Sequence, residues 1–162
     1  MMPKIMDNRI MKTKKAWALF SGLGYALIAA SAMEVARAKP KITDPINVAS
    51  FAIAGIGICI LIYTLVILST NNNKDSIITA GIYKVVRHPL YLSGITFGVG
   101  LVFLSLSTSS LSRLIEAVLG MLCLFFASRT EDNYNIEKFG NVYEAYMRKV
   151  PALNFLKGLK GF

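Results

Sequence analysis

Four apolar runs, at about residues 16–33, 46–70, 90–107 and 111–128, set the first limit on how this chain folds. The first three hold no charged residue, and the fourth holds only Arg113 and Glu116, near its start. At about 1.5 Å of rise per residue, helices of these lengths match a hydrocarbon core about 30 Å thick. In lipid every backbone polar group needs an internal partner, so runs of this kind become helices. The sequence therefore predicts an all-α polytopic membrane protein with about four transmembrane helices. The overall composition agrees, since 54% of the 162 residues are hydrophobic, well above the share in a soluble domain.

The first run follows the basic "MKTKKAW" and ends in small residues, as a signal peptide does. Its apolar stretch is longer than a usual h-region, so it reads as a span. Arg113 and Glu116 lie three apart on one helical face, where the arginine would snorkel to the interface and pair with the glutamate. Lys and Arg set the orientation. Residues 1–15, 71–89 and 129–162 carry five, three and six of them, against three in 34–45 plus Arg113 on the other side. Both termini are thus expected in the cytosol. With no targeting motif, a prokaryotic plasma membrane is the default location.

The net charge of +9 belongs mostly to that cytosolic, lipid-facing side, and no soluble basic face suggests a nucleic-acid partner. Cys59 and Cys123 lie within spans, where they act as small apolar residues rather than as a disulfide or metal pair. With one histidine in the chain, no metal site is expected. The oligomeric state is not legible.

Spans one and two are joined by the polar "EVARAKPKITDP", but spans three and four by little more than "LSTSS", which forces a tight antiparallel hairpin. Small residues four apart, Gly94 with Gly98 and Gly22 with Ala26, would allow close helix approach. The segment "STNNNKDSIITAG" (69–81) is a polar loop. After span four, Phe139, Val142, Tyr143, Tyr146 and Val150 recur at helical spacing, predicting a C-terminal amphipathic cytosolic helix that stops before Pro151. The whole of 1–162 reads as a single domain.

The hairpin and the orientation together bring "GIYKVVRHPLYLSG" (81–94) against the segment after span four. Arg87, His88, Tyr83 and Tyr91 would then face Glu131, Asp132, Tyr143 and Tyr146 at the membrane surface. A basic, aromatic cluster opposing an acidic, aromatic one suits a ligand with both charges and an aromatic ring. Taken singly, these residues also fit topology signals and interfacial aromatics, with Pro89 as an ordinary first-turn proline.

The pattern "G-x-Y-x-x-x-R-H-P-x-Y" at Gly81 to Tyr91, an acidic pair, and "FGNVYEAYMRKVP" resembles the integral-membrane isoprenylcysteine carboxyl methyltransferase and phospholipid N-methyltransferase group. The resemblance covers about residues 79–151, and cofactor-site segments are expected at 79–91 and 129–151. It implies S-adenosyl-L-methionine as cofactor, and no soluble-type "GxGxxG" is present. The match carries over Gly81, Tyr83, His88, Pro89, Tyr91 and Glu131, the cofactor-binding candidates, and Arg87, Glu131 and Asp132, the catalytic ones; Tyr143 and Tyr146, facing them after span four, are the substrate-binding candidates. Two positions depart from the family pattern: Ile82 replaces a lead-in proline, and Asp132 a glutamate.

Chemically, Glu131 would accept hydrogen bonds from the cofactor's ammonium or ribose hydroxyls, His88 would position its amino-acid end, and Tyr83 or Tyr91 would stack on adenine or flank the sulfonium. A carboxylate acceptor needs no base and would be oriented by Arg87. An amine acceptor would need Glu131, Asp132 or a neighbouring water as base. The acceptor is expected to be lipidic or prenylated, with carboxyl O-methylation preferred over phospholipid N-methylation. A membrane sterol reductase would need more spans, and transport finds no ionisable residue deep in a span. A non-enzymatic scaffold remains the other class.

Overall fold

The computed structural model describes residues 4–71 and 76–160, with side chains from residue 10 onward. Residues 72–75 of the expected polar loop and the outermost terminal residues lie outside the described residues. Among the described residues six α-helices follow one another: α1 (Lys4–Ala38), α2 (Pro45–Thr70), α3 (Pro89–Ser107), α4 (Leu111–Phe139), α5 (Asn141–Lys149) and α6 (Phe155–Leu159), with one 3-10 turn at Gly81–Lys84. No strand occurs among the described residues. Within α1, Ile10–Ala38 is long and apolar enough to cross a membrane, as are α2, α3 and α4. The expected all-α membrane fold is what the chain adopts.

Local chemistry sets the helix ends. Asp44 caps α2 by accepting from the Ile46 amide at 3.1 Å, with Pro45 in the first turn where a missing N–H does no harm. Asn71 closes the other end through its side-chain amide, which donates to the Ile67 carbonyl at 2.8 Å. The link between α3 and α4 is tied by the Thr108 amide on Leu104 O and the Ser110 amide on Ser105 O. The expected C-terminal amphipathic helix is in two pieces. α4 runs on to Phe139, the chain breaks at Gly140 with φ +58°, and α5 follows. Only glycine enters that backbone region without strain. At 29 residues α4 is about 43 Å long against a core of about 30 Å, so roughly its last two turns project beyond the membrane.

α1 packs along α4, α2 along α3, and the α3–α4 hairpin joins the two pairs. Close approach is made by small residues. A Cβ at Gly57 would lie 2.7 Å from the Phe97 backbone nitrogen, and one at Gly100 2.7 Å from the Ser50 carbonyl oxygen. Gly94 and Gly98 serve as expected, against Leu124 and Met121. Gly22 does not, because a Cβ there meets nothing within 4 Å; Gly24, against Leu124 and the Gly120 carbonyl, takes that role. The helix phase puts position 24, not 22, on the inner face.

Ile28, Leu101, Leu104, Ala117 and Leu124 form the shared core. Large apolar side chains of α2 and α4, such as Ile62, Val66, Leu122 and Phe126, point outward, as lipid-facing positions do. Ser31, at the end of the bundle far from His88, donates to the Arg113 carbonyl at 3.0 Å. Arg113 corrects an expectation. It is buried and its guanidinium donates to the Glu34 carbonyl on α1 at 3.3 Å, and no Arg113–Glu116 ion pair forms among the described residues. A backbone acceptor on α1 is within its reach and takes one of its Nη donors, while Arg113 Nε and Glu116 Oε2 are buried without a partner.

Candidate functional site

Pro89 starts α3, and His88 before it occupies the N-cap position with a non-helical backbone and no capping bond from its side chain. The imidazole is therefore available to α4. Nδ1 lies 3.1 Å from Glu131 Oε2 and Nε2 lies 2.8 Å from Asp132 Oδ1. Adjacent positions on one helix point about 100° apart, which lets the two carboxylates take the two edges of one ring. Arg87 donates to Asp132 Oδ2 at 2.9 Å, and the Tyr143 hydroxyl donates to Asp132 Oδ1 at 2.7 Å.

The other guanidinium nitrogen of Arg87 donates to the carbonyls of Met147 and Val150, at 2.9 and 2.7 Å. Arg87 thereby ties off the C-terminal end of α5, where a cation also suits the helix dipole. Its Nε is buried and without a partner. The network holds two basic and two acidic side chains, so charges that would be costly to bury singly are balanced.

Burial alone would push the His88 imidazole down. Its hydrogen bonds to Asp132 and Glu131, reinforced by both charges, outweigh burial and hold it above its ordinary value. Burial, with a further push from the Glu131 charge, raises the Tyr83 phenol to about 12. Burial and then the Asp132 charge raise Tyr143, and burial raises Tyr146.

Two strands of contact hold the loop in place from behind. Segment 150–154 crosses the loop before α3, with the Arg87 amide donating to Pro151 O and the His88 amide to Ala152 O, at 3.0 and 3.1 Å. Gly158 of α6 then sits flush on the Val85 carbonyl, where a Cβ would not fit. On the other side Trp17 of α1 stacks on Tyr134 at 5.7 Å and donates its ring N–H to the Tyr91 hydroxyl. Tyr25 donates to the Leu90 carbonyl at 3.0 Å.

A cleft of about 190 Å³ opens beside the network, with Tyr83, His88, Glu131, Asn135, Phe139 and Tyr146 among its walls. Glu131 is the network carboxylate that reaches it: its side chain is 26% exposed, against 5% for Asp132. The Tyr146 hydroxyl donates to the Tyr83 carbonyl at 2.5 Å and closes one end. Across the 3-10 turn lies an apolar groove of about 660 Å³ between α2 and α3, walled by Ile60, Tyr63, Gly81, Ile82, Leu92 and Phe155. One turn thus separates a polar cleft from a membrane-level groove, with Tyr83 facing the first and Gly81 and Ile82 the second.

The structure brings Arg87, His88, Glu131, Asp132 and Tyr143 into one network, with Tyr83 and Tyr146 at the cleft. Gly81 lines the groove instead, while Pro89 and Tyr91 are buried behind His88, in the core. Sequence reasoning missed Trp17 and residues 152–158, and did not single out Asn135 within the expected segment 129–151. Trp17 is the chain's only tryptophan and follows a basic stretch, a pattern that reads as interfacial anchoring.

The model of the isoprenylcysteine carboxyl methyltransferase (ICMT) family matches residues 48–136, more than half of the chain, and the protein belongs to that family. The match takes in α2, α3 and the site residues of α4 but stops short of α5. Over 91 residues the chain is 36% identical to the protein-S-isoprenylcysteine O-methyltransferase of Schizosaccharomyces pombe (strain 972 / ATCC 24843). That stretch is 53% of this chain and 36% of the relative, so the chain spans little more than a third of the length of the curated relative it matches. No solved structure matches the chain.

Proposed function

We propose that the protein is an S-adenosyl-L-methionine-dependent methyltransferase that methylates the carboxylate of an isoprenylcysteine-type lipidic acceptor, with its site and both termini on the cytosolic side. The observation that carries this reading is the juxtaposition of the His88–Glu131–Asp132 network, its polar cleft and the apolar groove across the 3-10 turn. Family membership and the name of the yeast relative supply the reaction class. The orientation rests on the uneven distribution of Lys and Arg along the sequence.

The residues suit such a cofactor. Glu131 offers a partly exposed carboxylate to an ammonium or to ribose hydroxyls, and the faces of Tyr83 and Phe139 suit adenine or a sulfonium. When bound, S-adenosylmethionine supplies an electrophilic methyl group. A cleft of about 190 Å³ lies below the range of about 300–1,000 Å³ usual for small-molecule sites, so binding parts its walls, the Tyr83–Tyr146 contact first. His88, bonded to both carboxylates, positions Glu131 beside the cleft.

An acceptor carboxylate enters the reaction already ionised, so no residue has to remove a proton, and the chain's contribution is positioning and charge. Arg87 lends its charge to the cleft floor while its Nη atoms stay bonded to Asp132 and α5. This makes Arg87 and Asp132 positioning residues, with Glu131 and His88 nearest the ligand. Tyr143 acts through Asp132, and Tyr146 through the wall it closes. Gly81 keeps the turn tight between cleft and groove, while Pro89 and Tyr91 back His88 from the core. The groove between α2 and α3 takes the acceptor's isoprenoid chain, which leaves its carboxylate at the turn.

The test is transfer of labelled methyl from S-adenosylmethionine by the purified protein into a farnesylated cysteine analogue or into lipid extract, followed by mild base. Label released as methanol is expected, as a carboxyl methyl ester requires. Base-stable label in lipid would mean N-methylation and overturn the acceptor, and no transfer with no cofactor binding would overturn the enzyme reading.

A further inference from the structure

On the far side of α5 from the network lies a second cavity, of about 460 Å³, bounded by the 3-10 turn, α5 and α6. Lys84 and Lys149 both line it, with Thr79, Tyr146 and Val150, and no carboxylate does. Neither lysine has an ion pair among the described residues. Two ammonium groups around one cavity repel each other unless an anion lies between them. Around the rim the surface is apolar: Val142 is 69% exposed, Leu156 72% and Leu159 50%. Lys157 and Lys160 are exposed beside them. A free anion would not call for that rim, whereas a lipid at the membrane surface would.

We propose that this cavity is a site for the anionic headgroup of a membrane phospholipid, held between Lys84 and Lys149, with α6 lying in the interface and its Leu156 and Leu159 turned into the bilayer. The location is consistent with charge attraction to the anionic cytosolic leaflet. The site also has a mechanical consequence. Lys84 follows Tyr83 on the turn, and Lys149 is one residue from the carbonyl of Val150 that Arg87 bonds. A bound headgroup therefore draws together the two walls that Tyr146 already bridges, and it stiffens the strap that holds Arg87 and His88. Lipid composition would then control how readily the neighbouring cleft opens.

The test is amide hydrogen exchange across residues 141–160 of the full chain, in nanodiscs of phosphatidylcholine alone and with about one third phosphatidylglycerol, an anionic load that makes the surface strongly attractive to lysines. Slower exchange in the anionic discs is expected. In the Lys84→Gln/Lys149→Gln variant that difference should shrink about twenty-five-fold, from about fivefold per lysine, and Lys84→Arg/Lys149→Arg should restore it. Equal exchange in both discs would overturn the proposal. So would a Gln variant that keeps the difference, or inorganic phosphate in neutral discs that slows exchange as much as the lipid. The readout is independent of methyl transfer.

Discussion

At the scale of single residues, the two carboxylates that are neighbours in sequence have separable tasks. Asp132 is buried and gathers Arg87, His88 and Tyr143, so Asp132→Ala leaves the buried Arg87 without a carboxylate and His88 with Glu131 alone. Its expected cost is about 3–5 kcal/mol of stability, measured as a lower melting temperature in detergent. His88 carries a pH signature. Its native value is raised, so its stabilising contribution is complete below about 6.5 and is lost as pH climbs through that raised value. The melting temperature should fall as pH rises from about 6.5 through that raised value, and His88→Gln should flatten the fall. The identities of these residues were legible in "RHPLY" and in the acidic pair. The use of Arg87 was not, because its partners are the carbonyls of Met147 and Val150, and a sequence does not show which carbonyls a helix end leaves free.

Among the elements, the long helices were legible because lipid leaves an uncharged run few other options, and α2 and α3 fall within a residue of their expected limits. The ends that leave the membrane were harder to read. The amphipathic pattern after residue 128 runs through Gly140 without a break in period, and the positive φ that divides it depends on how α5 docks. Helix phase likewise selects Gly24 over Gly22. Gly57→Ala should therefore separate α2 from α3 and lower stability by about 1–3 kcal/mol, the usual range for overpacking. Gly22→Ala, whose Cβ meets nothing, should leave the melting temperature unchanged. Equal effects of the two would contradict the inner-face assignment. Gly158→Val tests the strap: a side chain against the Val85 carbonyl should free segment 150–158 and speed amide exchange at Arg87 and His88, whose N–H groups it holds.

For the whole molecule, four membrane helices place a polar network at one end of an apolar bundle, where a soluble, charged cofactor and a lipid acceptor can meet. The opposite end carries Arg113, Glu34 and Glu116, with Arg113 bonded to the Glu34 carbonyl. On the proposed reading, the cleft beside His88 holds the cofactor through Glu131. The most direct test is the affinity of the purified protein for S-adenosylhomocysteine by calorimetry, for the wild type and for Glu131→Gln, with melting temperatures measured alongside. Losing one charge-assisted hydrogen bond is worth about 1.5–3 kcal/mol. The expected result is therefore binding weakened by at least about tenfold at a nearly unchanged melting temperature. Wild-type affinity in a folded Glu131→Gln protein would contradict the assignment of this site.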